Sequence, residues 1–180
     1  SLLATPGPAG RTLWVGTRGG GLAEISGGRV VAIHDRRTGL PNNHVLALAV
    51  ATGPGGAREL WAGTRGGVAR RPLDTPGAGW SVLSEESAPS LPNNNVFTIA
   101  PVPGGDVFLG TNRGVARLRR GPEGAKALEV VVYGTNEGLP GGACRGPAVR
   151  RGGDGSDGAR RDGRDGGAAD QGPAGAARLP

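Results

Sequence analysis

Residues that could support catalysis are few in this chain of 180 residues. Its two histidines are His34 and His44, and its one cysteine is Cys144. A cysteine nucleophile needs a base within hydrogen-bond reach, and nothing in the sequence pairs either histidine with Cys144. A single cysteine also provides neither an internal disulfide nor a metal-binding cluster. We therefore expect no catalytic residue, no metal site and no cofactor, and we expect that the chain is not an enzyme.

Amide, imidazole and guanidinium groups recur at matching places and are better candidates for binding. Amides donate and accept hydrogen bonds, which suits hydroxyl groups of a ligand. Arginine binds a carboxylate through two parallel hydrogen bonds, which suits acidic groups of a ligand. The alternative is that the asparagines bond to their own loop backbone through Asx turns. The candidate ligand-binding residues are Arg18, Asn43, His44, Arg65, Asn94 and Asn95. His34, beside Asp35, is interpreted instead as a solvated residue at a strand end.

An internal repeat determines the elements that must position these residues. Trp14, Trp61 and Phe108 each begin an aromatic-x-Gly-Thr motif, and 47 residues separate each from the next. A fixed period of this length predicts a repeat architecture. A second marker, Leu-Pro, recurs in phase with the first. It begins at Leu40, Leu91 and Leu139.

One repeat indicates four short β-strands. In the second repeat the predicted strands are 45–50, 59–63, 68–72 and 80–84, with a tight glycine turn at 64–67. No window shows apolar residues at helical spacing, and 37 glycines with 15 prolines disfavour helices. A four-stranded meander is one blade of a β-propeller, and its sheet cannot bury both faces alone. We therefore predict an all-β fold, an incomplete β-propeller of about three four-stranded antiparallel blades.

The predicted domains follow the repeats. A partial propeller covers 1–149, and residues 1–4 align with 48–51, so we expect the chain to begin inside a repeat, as a fragment. The predicted blades are about 1–38, 44–88 and 95–135, with the start of a fourth at about 143–149. Residues 150–180 contain no Val, Ile, Phe, Trp or Tyr, too little to offset the entropy of ordering. They indicate a disordered tail, a flexible linker or, as the abrupt change near Arg150 favours, a lost reading frame.

The aromatic residues of the repeat are expected to fill the gaps between neighbouring sheets, although a stacking platform for a sugar or base is an alternative. The predicted structural core of the repeat is Trp14, Gly16, Trp61, Gly63, Phe108 and Gly110.

Three blades would leave two open apolar sheet faces. We expect one near Leu13 and Trp14 and the other near 130–132.

Meander geometry predicts where the candidate binding residues lie. Successive turns alternate between the two edges of a sheet, so the turns at Arg18 and Arg65 should share an edge with the segments 42–44 and 93–95. If the first strand of each blade is innermost, His44 stands at the mouth of the central channel. Asn95 is expected at the equivalent position of the next blade.

The charge pattern does not favour a nucleic-acid partner. The net charge of +6 lies in residues 1–150, which hold 16 basic and 10 acidic side chains. The arginine pairs, such as Arg70-Arg71, fall at strand ends without interleaved aromatic residues. The glycine-rich segment 16–20 lacks the lysine and the following helix of a phosphate loop. The sequence also shows no signal peptide and no apolar run long enough to span a membrane.

The two markers together resemble the two-component regulator propeller repeat. Leu-Trp-x-Gly-Thr followed by Gly-Gly-Val or Gly-Gly-Leu alternates with Gly-Leu-Pro-Asn-Asn-x-Val, over residues 1 to about 149. In that family the propellers form the extracytoplasmic sensor of bacterial signalling proteins. They commonly precede an immunoglobulin-like domain, a membrane span and a histidine kinase or another output domain.

The resemblance implies a periplasmic sensor region of an inner-membrane protein. The expected function is non-catalytic sensing of a small molecule or glycan, relayed to an output domain outside this chain. The expected partners are this ligand and the remaining blades and signalling domains of the full-length protein, which could also form a homodimer. The alternative function is a propeller scaffold for protein–protein interaction.

Overall fold

β-Strands and tight turns make up nearly all of the chain that the computed structural model describes, which is residues 1–7, 10–120 and 128–141. The helical elements in these ranges are three short 3₁₀ helices, Arg36–Thr38, Pro54–Gly56 and Thr135–Glu137. The described residues belong to one compact unit, Ser1–Ala148. The predicted start of a fourth blade at 143–149, Cys144 and the segment 150–180 lie outside them.

Within the described ranges, twelve strands form three antiparallel sheets of four, each in chain order. Sheet 1 contains β1 (Leu2–Gly7), β2 (Gly10–Gly16), β3 (Leu22–Ser26) and β4 (Arg29–His34). Sheet 2 contains β5 (Val45–Thr52), β6 (Arg58–Thr64), β7 (Gly67–Pro72) and β8 (Ser81–Leu83). Sheet 3 contains β9 (Val96–Pro101), β10 (Val107–Thr111), β11 (Gly114–Arg120) and β12 (Leu128–Tyr133). Neighbouring sheets approach each other where the first strand of one sheet meets the first two strands of the sheet before it, as blades do around a propeller axis.

The predicted fold class is therefore confirmed for the described residues, which are all-β and form an incomplete β-propeller. The register corrects one detail of the repeat alignment. Leu2 pairs with Val15 just as Leu48 pairs with Ala62, so Leu2, and not Ser1, is the counterpart of Leu48. The equal spacing of the aromatic residues had hidden this difference, because the hairpin between β1 and β2 is one residue shorter than that between β5 and β6.

Each sheet has two unlike faces. We call the face that carries Trp14, Trp61 or Phe108 the aromatic face, and the opposite one the aliphatic face. In both gaps between described sheets, the aromatic face of one sheet packs on the aliphatic face of the next. Trp14 is 3% exposed and lies among residues of sheet 2, and Trp61 is 0% exposed and lies among residues of sheet 3. Phe108 is half-buried on the aromatic face of sheet 3, which no described sheet covers.

The open face of sheet 1 was predicted near Leu13 and Trp14, and the structure places Leu13 on it but not Trp14. Side chains alternate between the faces of a strand, so Trp14 points toward sheet 2 while Leu13 points away from it. The open face of sheet 1 is its aliphatic face. On sheet 3, Val131 pairs with Arg117 on the open aromatic face, whereas Val130 packs into the core shared with sheet 2.

The glycine of the aromatic-x-Gly-Thr motif permits the first strand of the next sheet to come close. A Cβ atom added at Gly16 would lie 2.6 Å from Cγ1 of Val45. One added at Gly63 would lie 2.9 Å from both Cγ1 and the carbonyl oxygen of Val96. Gly110 is buried at the equivalent position of sheet 3. These glycines let the second strand of one sheet approach the first strand of the next, because the second strand places no side chain of its own at the contact.

The threonine of the motif closes the turn between the second and third strands. Thr64 Oγ1 donates to the carbonyl oxygen of Gly67 at 2.8 Å and accepts from the amide of Gly66 at 3.0 Å. Thr111 makes the equivalent pair of bonds in sheet 3. Gly67 has a φ of +115°, a conformation that a side chain would strain. The turn is therefore held by a hydroxyl group and a glycine.

Candidate functional site

The turns that join second and third strands lie at the same edge of the sheets as the connections that lead to the next sheet. The amides of Gly19 and Gly21 both donate to the carbonyl oxygen of Asn43 at 3.0 Å, and the amide of Gly67 donates to that of Asn94 at 2.7 Å. We call this region the shared edge. It comprises the turns 17–21 and 64–67 with the connections 35–44 and 84–95. The structure thus brings the candidate binding residues of sheets 1 and 2 to one edge.

His44 lies between the two arginine-bearing turns of the shared edge. Arg18 and His44 form an isolated antiparallel β-bridge. The amide of Arg65 donates to the carbonyl oxygen of His44 at 3.3 Å. His44 directly precedes β5, the first and innermost strand of sheet 2. The backbones of Arg18, His44 and Arg65 are therefore joined to one another at the inner part of the shared edge.

The guanidinium groups of Arg18 and Arg65 differ from those of several sheet arginines. Both side chains are exposed, and no carboxylate of the described residues lies within ion-pair distance of either one. Several arginines outside the shared edge are paired, which neutralises their charge. These pairs are Arg58 with Asp74, Arg70 with Glu59 and Arg117 with Asp106. The two edge arginines are thus available to an anionic group from outside.

The asparagines hold the connections in shape. Asn42 Oδ1 accepts from the amide of His44 at 2.8 Å, and Asn93 Oδ1 accepts from that of Asn95 at 3.0 Å. These are Asx turns, as the alternative interpretation of the sequence proposed. The turns fix the backbone at His44 and Asn95, just before the inner strands begin.

The second asparagine of each pair spans its connection. Asn43 Oδ1 accepts from the amide of Arg36 at 2.9 Å, and Asn94 Oδ1 accepts from that of Glu85 at 2.8 Å. The amide oxygens of Asn43 and Asn94 are thus engaged in the fold. The amide nitrogen of Asn94 also donates within its connection, to the carboxylates of Glu85 and Glu86. A role of these two asparagines in ligand binding stays a prediction.

The Leu-Pro marker anchors each connection in the core. The leucine amide donates to the carbonyl oxygen of the first connection residue, from Leu40 to Asp35 at 2.9 Å and from Leu91 to Ser84 at 2.9 Å. Leu40 and Leu91 are each 3% exposed and belong to the two cores between the sheets. Burial of an aliphatic side chain stabilises the connection by about 1.5–3 kcal/mol. The edge loops are therefore rigidly positioned.

His34 corrects the sequence interpretation, because it is not a solvated residue. Its side chain is 12% exposed, and its ring centroid lies 5.9 Å from that of Trp14 and 5.5 Å from that of Trp80. Burial lowers the pKa of His34; the hydrogen bond with Glu24 opposes this shift, and the charge of Arg71 adds to it. Arg71 lies in β7 of sheet 2, and Trp80 directly precedes β8 of the same sheet. The sequence alone could not show that a neighbouring sheet covers this strand end.

A groove also lies in sheet 3, between the turn 112–114 and the connection 134–140. In sheets 1 and 2 the connection that follows each sheet packs on the turn of that sheet, since the amides of Gly19 and Gly67 donate to the carbonyl oxygens of Asn43 and Asn94. The groove therefore corresponds to the place that a connecting segment occupies in sheets 1 and 2, and we do not assign a ligand to it.

The described residues also lack a membrane-spanning helix and a metal-binding cluster. No helix there has the length and apolar character needed to cross a membrane. No group of three or more His, Cys, Asp or Glu side chains is arranged to hold a metal ion.

Comparison with known proteins gives a structural match. No family model matches this chain, and no curated protein matches it in sequence. The fold is similar to a crystal structure described as the extracellular domain of the hybrid two-component system BT3049 from B. thetaiotaomicron. The TM-score is 0.61, the sequence identity is 20%, and the match covers 78% of this chain and 17% of the other. This chain thus spans 17% of the length of that protein chain, and the likeness at this identity is one of fold.

Proposed function

We propose that this chain is a sensor segment of a bacterial signal-transduction protein of the two-component type. Two observations support the proposal. The fold resembles that of a domain described as the extracellular part of a hybrid two-component system. The repeat markers resemble those of the two-component regulator propellers. On this proposal the segment acts outside the cytoplasm, is not catalytic, and passes its signal to an output domain elsewhere in the protein.

The ligand that we propose is a small molecule or saccharide that carries carboxylate and hydroxyl groups. The observation that carries this proposal is the linked set Arg18, His44 and Arg65 on the shared edge. Two exposed arginines without a carboxylate partner offer paired donors to an anionic group. The imidazole of His44 and the amide of Asn95 offer donors and acceptors to hydroxyl groups nearby.

The fixed backbone of the shared edge favours binding. The connection before His44 is held by an Asx turn, by the Asn43 bond to Arg36 and by the buried Leu40 side chain. Groups held in place before binding lose less conformational entropy when a ligand arrives. The asparagines thus act, on this proposal, as supports for the arginines and the histidine.

The test is calorimetric titration of the chain with a uronic-acid oligosaccharide, an oligogalacturonate, and with a neutral galacto-oligosaccharide of equal length. We expect the acidic saccharide to bind and the neutral one to bind more weakly. Arg18→Ala and Arg65→Ala should each weaken binding by about tenfold or more, since a charged hydrogen bond contributes about 1.5–3 kcal/mol. Arg29→Ala is the matched control, because Arg29 is exposed at the opposite edge.

Three outcomes would contradict the proposal. One is that neither saccharide binds, which would favour the alternative of a protein-interaction scaffold. Another is that Arg29→Ala weakens binding as much as Arg18→Ala, which would mean general attraction to a basic surface. The third is that the neutral saccharide binds as tightly as the acidic one, which would show that the arginines do not contribute to binding.

A further inference from the structure

The aliphatic face of sheet 1 is an open apolar surface. Strand pairing places Val15 with Leu2, Ala23 with Ile33, and Leu13 with Ile25 on this face. Exposure is high at its margins: 67% for Leu2, 58% for Val30 and 59% for Ile33. No described residue of another sheet covers it. A continuous apolar surface of this kind marks an association site.

The equivalent faces of sheets 2 and 3 show what covers such a surface. Leu60, Ala62 and Ala69 on the aliphatic face of sheet 2 are each 0% exposed, beneath the aromatic face of sheet 1. Leu109 and Ala116 on sheet 3 are also 0% exposed, beneath the aromatic face of sheet 2. In both gaps the cover is the aromatic face of the preceding sheet.

Sheet 3 presents an aromatic face of this type. Arg117 Cζ lies 5.7 Å from the ring centroid of Phe108, and Arg117 Nε donates to Asp106 Oδ2 at 2.7 Å. The covered face of sheet 2 has the same arrangement, with Arg70 Cζ 5.7 Å from the ring centroid of Trp61. Arg70 pairs there with Glu59 at 3.1 Å. In both sheets the arginine charge is balanced within the face, so an apolar surface can cover it.

We propose that two copies of this chain associate head to tail, with the aromatic face of sheet 3 in one copy packed on the aliphatic face of sheet 1 in the other. The contact repeats the packing seen between sheets 1 and 2 and between sheets 2 and 3. It uses different surfaces on the two copies, so the association is heterologous and gives a closed ring or an open chain of copies. This inference does not depend on the proposed ligand.

The test uses the full chain of 180 residues and sedimentation velocity. The wild-type chain should sediment as a dimer or a larger species, above its monomer mass of 17.9 kDa. Ile33→Glu places a charge on the aliphatic face of sheet 1, and Val131→Glu places one on the aromatic face of sheet 3. Either change should reduce the associated fraction at least tenfold. Val102→Glu, at an exposed valine in the β9–β10 hairpin, should leave it unchanged.

Mixing the two variants gives the decisive result. Each variant keeps one intact face, so an equal mixture should form a dimer with one copy of each and nothing larger. Circular dichroism of each variant confirms that it is folded, and a variant that is unfolded is replaced by Ile33→Ser or Val131→Ser. A monomeric wild-type chain, a mixture that fails to pair, or single variants that associate like the wild type would each overturn the proposal.

Discussion

Nη1 of Arg71 in sheet 2 lies 3.4 Å from Nε2 of His34 in sheet 1, and Glu24 Oε2 lies 3.4 Å from the same nitrogen on the other side. A cation and a carboxylate thus compete for one imidazole atom. Arg71 favours the neutral ring, which can accept a hydrogen bond, whereas Glu24 favours a protonated nitrogen. Burial has the largest effect on the pKa of His34 and lowers it, because a buried charge loses solvation. The neutral ring is therefore favoured.

This contact predicts a pH dependence of stability. The pKa of His34 is lower in the folded chain than its ordinary value, so the unfolded chain binds protons at higher pH than the folded chain does. Its contribution to the free energy of unfolding is therefore complete above about pH 6.5 and decreases as the pH falls toward the lowered pKa. The urea concentration at the midpoint of unfolding should fall as the pH is lowered from about 7.5 to about 5.

Two variants check that His34 is the source of this pH dependence. His34→Gln should make the urea midpoint much less sensitive to pH across the same interval. Thr75→Val, at an exposed residue that does not titrate, should leave the sensitivity as it is. A wild-type midpoint that stays level or rises on acidification would contradict the assignment.

The aromatic residues of the repeat should differ in their contribution to stability according to their burial. Trp61→Ala should lower the free energy of unfolding by about 3–5 kcal/mol, because the ring is fully buried between two sheets. Phe108→Ala should cost less, since Phe108 is half-buried. Arg65→Ala, at an exposed turn, should change it by about 0.5 kcal/mol or less. Equal losses for Trp61→Ala and Arg65→Ala in urea unfolding would disagree with the packing described above.

The close approach at Gly63 should make this position intolerant of a methyl group. Gly63→Ala forces its Cβ atom against Val96, where the carbonyl oxygen belongs to the backbone and cannot move aside. We expect a loss of about 1–3 kcal/mol in the free energy of unfolding. Gly79→Ala is the control, because a Cβ atom there meets no atom within 4 Å. If the two variants had the same thermal midpoint, the inner strands would have room that the structure does not show.

The turn hydroxyl gives a further prediction. Thr64→Val keeps the shape of a fully buried side chain but removes the bonds to Gly67 and Gly66. A buried polar group left without a partner costs about 1–3 kcal/mol, so thermal unfolding should begin at a lower temperature. Thr75→Val, at an exposed threonine, should have little effect. Hydrogen exchange should also become faster at the amide of Gly66, which has no other hydrogen bond in the described chain.

The repeat made much of this fold predictable. The four strands predicted in the second repeat agree with β5 to β8 within two residues at either end. Apolar runs, glycine turns and the spacing of Trp61 are local signals, and the same signals recur in each sheet. The meander rule also brings Arg18 and His44 to one edge, because it depends only on the number of strands.

Contacts between sheets were not predictable in the same way. The surroundings of His34 include Trp80 and Arg71, which lie far away in the sequence and have no counterpart of the same type in the other sheets. The direction in which Trp14 points depends on which face meets the next sheet, and the alternation of a strand leaves both directions open. The partners of Asn43 and Asn94 were also open, since an amide oxygen can accept from its own loop or from across it.

The bonds from Gly19 and Gly21 to Asn43, and from Gly67 to Asn94, have a consequence for how such chains can be divided and recombined. In each case a turn of one sheet is completed by residues that lead into the next. A module cut directly after the last strand of a sheet would carry a turn whose amides lack their acceptor. The transferable cassette is therefore one sheet together with the connection that follows it, which is 45–95 for sheet 2. Engineered chimaeras joined just before the inner strands should retain these bonds, whereas those joined directly after the last strand of each sheet should lose them.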